Sequence, residues 1–152
     1  MTKSALQIER ASYQPKLPDA LKGLAKAVVG APTQSVADQE EIKKMFPNTY
    51  GLPIVKFEST TEKADIAAFN VGVILSGGQA PGGHNVICGI FDGIKKLNKD
   101  CRLYGFLMGP SGLIDHKYIE LTADVINDYR NTGGFDMIGS GRTKLAKKDQ
   151  FD

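Results

Sequence analysis

Val71-Gly72-Val73-Ile74-Leu75-Ser76-Gly77-Gly78-Gln79-Ala80-Pro81-Gly82-Gly83-His84-Asn85 is the stretch whose reading decides the fold. Val71 to Leu75 is a short, uncharged, apolar run with β-branched residues, which predicts a strand. After Asn85, the residues Val86, Ile87, Ile90, Phe91, Ile94 and Leu97 recur at spacings of one, three and four, which predicts a helix over 84–98 with one apolar stripe. Between the two, side chains nearly vanish. Glycine lets the backbone adopt φ > 0 and approach a ligand closely. A helix N-terminus beside such a turn carries unpaired N–H groups and the positive end of a dipole, a combination that binds anions and above all phosphates. The plainer alternative is a tight strand-to-helix turn with no ligand. Four glycines around a rigid Pro81 favour the phosphate site.

Two familiar phosphate loops do not fit. The P-loop requires Lys and then Ser or Thr after its last glycine, where this chain has His84 and Asn85. The dinucleotide fingerprint requires a middle glycine, where Gln79 stands, and an acid at the end of the next strand, which the run Cys101 to Leu107 lacks.

From residue 70 onward the pattern alternates as βαβαβ. The expected elements are strand 71–75, helix 84–98, strand 101–107, a helix from about Lys117 to Arg130, and a strand Phe135 to Ile138. Asp115 would cap the second helix, whose stripe is Tyr118, Leu121, Val125 and Tyr129, and Asn131 to Gly134 would end it. Such alternation predicts a parallel sheet with right-handed crossovers and flanking helices. Ligands in these sheets gather beyond the carboxyl ends of the strands. Three glycine turns fall there: Gly77 to Gly83, Gly109 to Gly112, and Gly139 to Gly141. Gly89 and Gly93 would let the first helix pack close to the sheet.

Residues 1–69 are less regular. Ser4 to Tyr13 can form a short helix, and Gly30, Pro32 and Thr33 mark a turn. Ser35 would cap a helix through Phe46, Pro53 to Glu58 reads as a strand, and 59–65 as a polar link. This part is expected to be a scaffold or subunit-contact extension (1–69) ahead of an α/β domain (70–152).

Ser76-Gly77-Gly78-Gln79-Ala80-Pro81-Gly82-Gly83-His84-Asn85-Val86-Ile87 resembles the first phosphate loop of the phosphofructokinases, and Gly82 to Val86 resembles their long, pyrophosphate-dependent branch. Gly109-Pro110-Ser111-Gly112-Leu113 and Ile138-Gly139-Ser140-Gly141-Arg142-Thr143-Lys144-Leu145 continue the resemblance in order. It covers 70–145 strongly and the N-terminal part loosely. It implies a phosphofructokinase-like α/β fold and the front portion of a transferase. That enzyme moves a phosphoryl group reversibly between pyrophosphate and the 1-hydroxyl of fructose 6-phosphate, in glycolysis. It further implies that Gly77, Gly78 and Arg142 bind the diphosphate, since family members hold the phosphoryl donor with an Arg at this place. Mg²⁺ is implied too. The family's metal-binding Gly-Gly-Asp and its base-bearing Thr-Ile-Asp motif do not occur here, so metal ligands and catalytic residues are expected beyond Asp152, and this chain alone is expected to be inactive. Gly133-Gly134-Phe135-Asp136 precedes a predicted strand and is not that metal motif. A homo-oligomer is also expected. The alternatives are an ATP-dependent enzyme of the same fold and a non-catalytic subunit or phosphate-binding module.

The remaining residues set bounds. His84 and Asn85 read as structural residues of the helix start, and Asp115 with His116 makes no metal site alone. Lys144, Lys147 and Lys148 read as a solvated face. The chain has 152 residues, enough for a real core, and a formal charge of +2, too small to argue for nucleic acid or a membrane surface. Cys88 and Cys101 each lie in an apolar run and are expected to be buried thiols. No signal peptide is visible in Met1 to Tyr13 and no run approaches the roughly 20 apolar residues of a membrane span, so the expected location is the cytoplasm.

Overall fold

A computed structural model describes residues 3–62, 65–78 and 80–150, the side chain of Asp149 excepted. Lys63 and Ala64 of the expected link, Gln79 of the glycine loop and the terminal Asp152 lie outside the described residues. In chain order the elements are α1 (Ala5–Ser12), α2 (Asp19–Lys22), β1 (Leu24–Pro32), α3 (Gln39–Met45), β2 (Pro53–Thr60), β3 (Asn70–Val73), α4 (Gly83–Leu97), β4 (Arg102–Phe106), α5 (Pro110–Ile114), β5 (Tyr118–Glu120) and α6 (Ala123–Tyr129). They fall into two units, Lys16–Lys63 and Met1–Pro15 with Ala64–Asp152.

In the first of these units, β1 and β2 form a two-stranded antiparallel ribbon, with Ala27 opposite Phe57 and Val29 opposite Val55. The expected turn at Gly30 to Thr33 is instead the end of a strand. Pro32 closes β1 opposite Pro53, where a missing N–H is tolerated at the margin of a ladder. The helix expected from Ser35 begins later, at Gln39, after Asp38 in the left-handed conformation (φ 53). Ser35 uses its carbonyl to accept from the Gln39 side chain and does not cap the helix.

The second unit holds every buried apolar residue of the described chain. Val73, Leu103, Leu121, Met137 and Ile138 meet Ile87, Cys88, Phe91 and Ile94 of α4 and Ile126 of α6. On β4 the burial alternates, with Leu103 and Gly105 buried between more open Arg102, Tyr104 and Phe106, as a period of two requires. The stripe of α4 is shifted from expectation. Val86 and Leu97 are exposed, and His84 and Cys88 take part in the buried face. Among the described residues Gly89 and Gly93 do not mediate close packing: both are exposed, and an added Cβ would meet nothing within 4 Å. Both cysteines are buried thiols, and burial pushes the Cys88 thiol up.

β3 and β4 pair in parallel, with Val71 beside Leu103, as the alternation predicts. The sheet is nevertheless mixed. β5 runs antiparallel to β4, pairing Tyr118 with Phe106 and Glu120 with Tyr104. The single helix expected over 117–130 is therefore a strand followed by a helix. Tyr118 stands edge-on to Tyr104 and to Phe106, at 5.7 Å each, which rewards the extended form. Thr122, not Asp115, caps the shortened helix, accepting from the Val125 N–H. The strand expected at Phe135 to Ile138 is a turn, closed by the Gly139 N–H on the Phe135 carbonyl. The third parallel connection shrinks to one bridge, Ser76 with Gly141.

α1 is tied into the same unit. Ser4 and Gln7 form a reciprocal capping box, and the Asn131 amide donates to the carbonyls of Arg10 and Tyr13 at 2.9 and 3.0 Å. Arg130, following α6, forks onto Asp92 of α4 at 2.8 and 2.9 Å, a bidentate pair that fixes the two helices. Among the described residues no helix is long and apolar enough to cross a membrane.

Candidate functional site: three glycine turns at one sheet end

Because β3 and β4 are parallel, the chain leaves both strands at the same end. The Gly77 N–H donates to the Gly141 carbonyl at 2.8 Å and the Gly141 N–H to the Leu75 carbonyl at 3.3 Å. The Met108 N–H donates to the Ile138 carbonyl at 2.8 Å, which ties the turn after β4 to the same segment. All three glycine turns named from the sequence are thereby brought together.

Two kinds of glycine meet here. At Gly109 (φ 73) an added Cβ would lie 2.5 Å from the Gly141 nitrogen, 2.9 Å from its Cα and 3.0 Å from the Leu75 carbonyl oxygen. The backbones touch, so only glycine fits. At Gly77 (φ 113) and Gly82 (φ 97) an added Cβ would meet nothing within 4 Å among the described residues, which keeps the loop surface clear of them. Gly78 is different again. Its absent side chain is replaced by the guanidinium of Arg142, one Nη of which lies 2.6 Å from where a Cβ would stand. Gly77, Gly78 and Arg142 thus share one surface, across a sequence gap of more than sixty residues. Arg142 is exposed, and among the described residues no carboxylate pairs with it. A planar fork of donors beside a side-chain-free loop suits the oxygens of a phosphate.

The start of α4 is less open than expected. The Gly82 N–H donates to the Gly133 carbonyl at 2.5 Å, and the His84 N–H to the Gly134 carbonyl at 2.7 Å. Two amides expected to face an anion are thus engaged with the chain itself. Asn85, in the first turn, is exposed.

His84 is almost fully buried, with 1 % of its surface exposed. The Met137 N–H donates to its Nε2 at 2.9 Å, so that nitrogen carries no proton. The proton sits on Nδ1, which donates to the Thr132 hydroxyl at 2.6 Å, and that hydroxyl donates to the Tyr129 carbonyl at 2.6 Å. The Tyr129 ring stands edge-on at 4.8 Å. Burial holds the His84 pKa below its usual 6.5, and the Asp136 carboxylate, 3.1 Å from Nε2, opposes the shift. The structural role expected of His84 has concrete partners here. Thr132, Asp136 and Met137 lie 48 to 53 residues away, and no local pattern in the sequence pairs them with it.

Lys144, Lys147 and Lys148 are exposed. Asp115 pairs with Lys117 at 3.3 Å, and His116 occupies a left-handed turn position (φ 53). Among the described residues no group of three or more His, Cys, Asp or Glu side chains is placed to hold a metal ion.

No family model matches the chain. Curated proteins do. Over all 152 residues it is 63 % identical to the pyrophosphate–fructose 6-phosphate 1-phosphotransferase of Porphyromonas gingivalis, spanning 28 % of that protein's length. It is 47 % identical to the enzyme of the same name from Treponema pallidum, over 99 % of this chain and 28 % of that one. To subunit beta 2 of the Arabidopsis thaliana enzyme it is 46 % identical, over 97 % of this chain and 26 % of that one. Across its whole length the chain is thus similar to pyrophosphate–fructose 6-phosphate 1-phosphotransferases, of which it spans little more than a quarter.

Proposed function

We propose that this chain supplies the donor-phosphate surface of a pyrophosphate-dependent 6-phosphofructokinase with the α/β architecture of that family. The observation that carries the reading is the meeting of Gly77, Gly78 and the Arg142 guanidinium at the shared end of β3 and β4. Whole-length similarity to the named phosphotransferases supports the choice of donor.

In the reaction, the 1-hydroxyl oxygen of fructose 6-phosphate attacks one phosphorus of pyrophosphate. The bond from that phosphorus to the bridging oxygen breaks, inorganic phosphate leaves, and the hydroxyl proton passes to a base. The part assigned to this chain is to hold and orient the donor. Arg142 supplies positive charge and a bidentate fork, and the glycine loop leaves room for phosphate oxygens. Catalysis of phosphoryl transfer rests largely on such positioning and charge stabilisation. Mg²⁺ would neutralise charge on the donor when bound. The described residues do not fit a metal site, so no step at Mg²⁺ is assigned to this chain. Its ligands and the base are proposed to lie beyond residue 152.

The test is a coupled assay on the complete polypeptide that carries this chain, run separately with pyrophosphate and with ATP. Turnover is expected with pyrophosphate. Activity with ATP alone would overturn the assignment of donor. The isolated 152-residue chain is expected to show no turnover with either.

A further inference from the structure

We propose that His84 is a positioning residue for Arg142, a role resting on the donor-site reading above. The imidazole sits at the start of α4 and grips the turn 135–138 through the Met137 N–H at 2.9 Å. That turn leads directly into the strip carrying Gly139, Gly141 and Arg142. The strip is held from two further sides. Met108 donates to the Ile138 carbonyl, and Ser76 bridges Gly141. Met137 and Ile138 are themselves in the core, 6 and 2 % exposed, so the turn transmits the position of the imidazole and does not absorb it. Gly134 is the near wall. A Cβ there would stand 2.9 Å from the His84 ring, so ring and backbone are in contact.

Among the described residues the polar partners of the buried His84 ring are Thr132, Asp136 and Met137, not the guanidinium, which separates it from a donor-contacting residue. Its two nitrogens can be replaced one at a time. Gln can accept from the Met137 N–H as Nε2 does. Asn can reach Thr132 as Nδ1 does but leaves Met137 without an acceptor. A purely space-filling role does not distinguish these substitutions by which ligand suffers.

The experiment measures KM for pyrophosphate and for fructose 6-phosphate in the complete enzyme, for His84→Asn, His84→Gln, Arg142→Ala and the double variant His84→Asn with Arg142→Ala. His84→Asn is expected to raise the pyrophosphate KM about tenfold and the sugar-phosphate KM less than about twofold, with His84→Gln between it and the native enzyme. Added to Arg142→Ala, His84→Asn should change the pyrophosphate KM by less than about twofold, because the group it positions is gone. Additive losses, or equal losses for both ligands, overturn the positioning role while leaving the donor site standing. An Arg142→Ala enzyme with unchanged pyrophosphate KM overturns both. Should His84→Asn fail to fold, Thr132→Val removes the acceptor that orients the ring and is read against the same outcomes.

Discussion

The turns at the sheet end contain two regions that look alike in sequence and behave oppositely in space. Gly109, Gly139 and Gly141 are locked where turn backbones cross. A side chain at Gly109 would collide with Gly141, and one at Gly139 would stand 2.7 Å from the Met108 sulfur. Among the described residues, Gly77 and Gly82 have no neighbour where a side chain would stand, and Gly78 faces the exposed arginine tip. The first region uses absent side chains to bring backbones together. The second uses them to keep a surface clear. Glycine in these turns thus meets two requirements, close backbone approach and a clear surface, and substitution separates them.

Gly109→Ala should break the locked region hardest. Its backbone (φ 73, ψ −144) is open to glycine almost alone, and the new methyl would meet the Gly141 backbone. Strain and overpacking together should cost about 2–5 kcal/mol. Urea unfolding of the complete enzyme checks it, and a midpoint equal to the native one would show that the crossing can relax.

In the open region the fold should survive and function should fail. Under the proposed donor site, Arg142→Ala should remove a charge-assisted contact worth about 1.5–3 kcal/mol, or about ten- to a hundredfold in kcat/KM for pyrophosphate. Arg142→Lys should recover only part, since an ammonium keeps the charge and loses the fork. Gly78→Ala attacks the same group from the other side. Its methyl would stand 2.6 Å from the Arg142 Nη, and the exposed guanidinium can swing away at little cost to folding. Gly78→Ala should therefore lower kcat/KM for pyrophosphate by about tenfold, shift stability by less than about 0.5 kcal/mol, and add little to Arg142→Ala. Gly78→Val should do the same more severely. Full additivity would mean that the two residues serve different ends.

How much of this was legible follows from the range of the forces involved. The strands expected at 71–75 and 101–107 and the helix at 84–98 were legible, to within two residues at each end, because each carries a local signal, an apolar run or a 3.6-residue stripe. The convergence of Gly77, Gly109 and Gly141 followed from parallel pairing. The stretch 117–130 reads as one helix because Tyr118, Leu121, Val125 and Tyr129 fit a 3.6-residue stripe, while β4 and two aromatic neighbours hold Tyr118 to Glu120 extended. Phe135 to Ile138 has the composition of a strand, yet His84 takes the Met137 N–H that a ladder would use. The ribbon of β1 and β2 was half-seen, because a pairing that spans an intervening helix leaves no local signature. For the same reason sequence showed His84 as structural and could not show what it holds.

A smaller effect tests the His84 contact with the turn at 135–138. His84 is buried neutral, with its pKa held below 6.5 chiefly by burial. A lowered pKa means that the folded state binds fewer protons than the unfolded one in this range. The stabilisation from the neutral ring is complete above pH 6.5 and is lost as pH falls from there through the folded pKa. Protonated Nε2 would donate to Asp136 and release the Met137 N–H, so the pyrophosphate KM should rise over the same interval. Among the described residues, Asp136 and Tyr129 are the titratable groups touching the ring. Asp136→Asn removes the attraction that opposes the shift, so the folded pKa should fall further and more stability should be lost on full acidification. His84→Gln should flatten this part of the profile. An acid limb unchanged in His84→Gln assigns it to other groups.

The smallest effect should have the opposite sign. Gly89 and Gly93 lie in the middle of α4, belong to neither the locked nor the open region, and among the described residues have nothing within 4 Å of an added Cβ. A mid-helix glycine costs about 0.5–1 kcal/mol relative to alanine, because its unfolded chain has more freedom to lose. Neither has the positive φ that would strain a side chain. If this face of α4 is exposed in the complete protein, Gly89→Ala should raise stability by about 0.5–1 kcal/mol and leave both KM values unchanged. Gly93→Ala should act likewise, and the two should add, to within about 0.5 kcal/mol. A loss of stability in either variant would show another part of the polypeptide seated against this face. It would also move these glycines into the class of Gly109, kept for close approach.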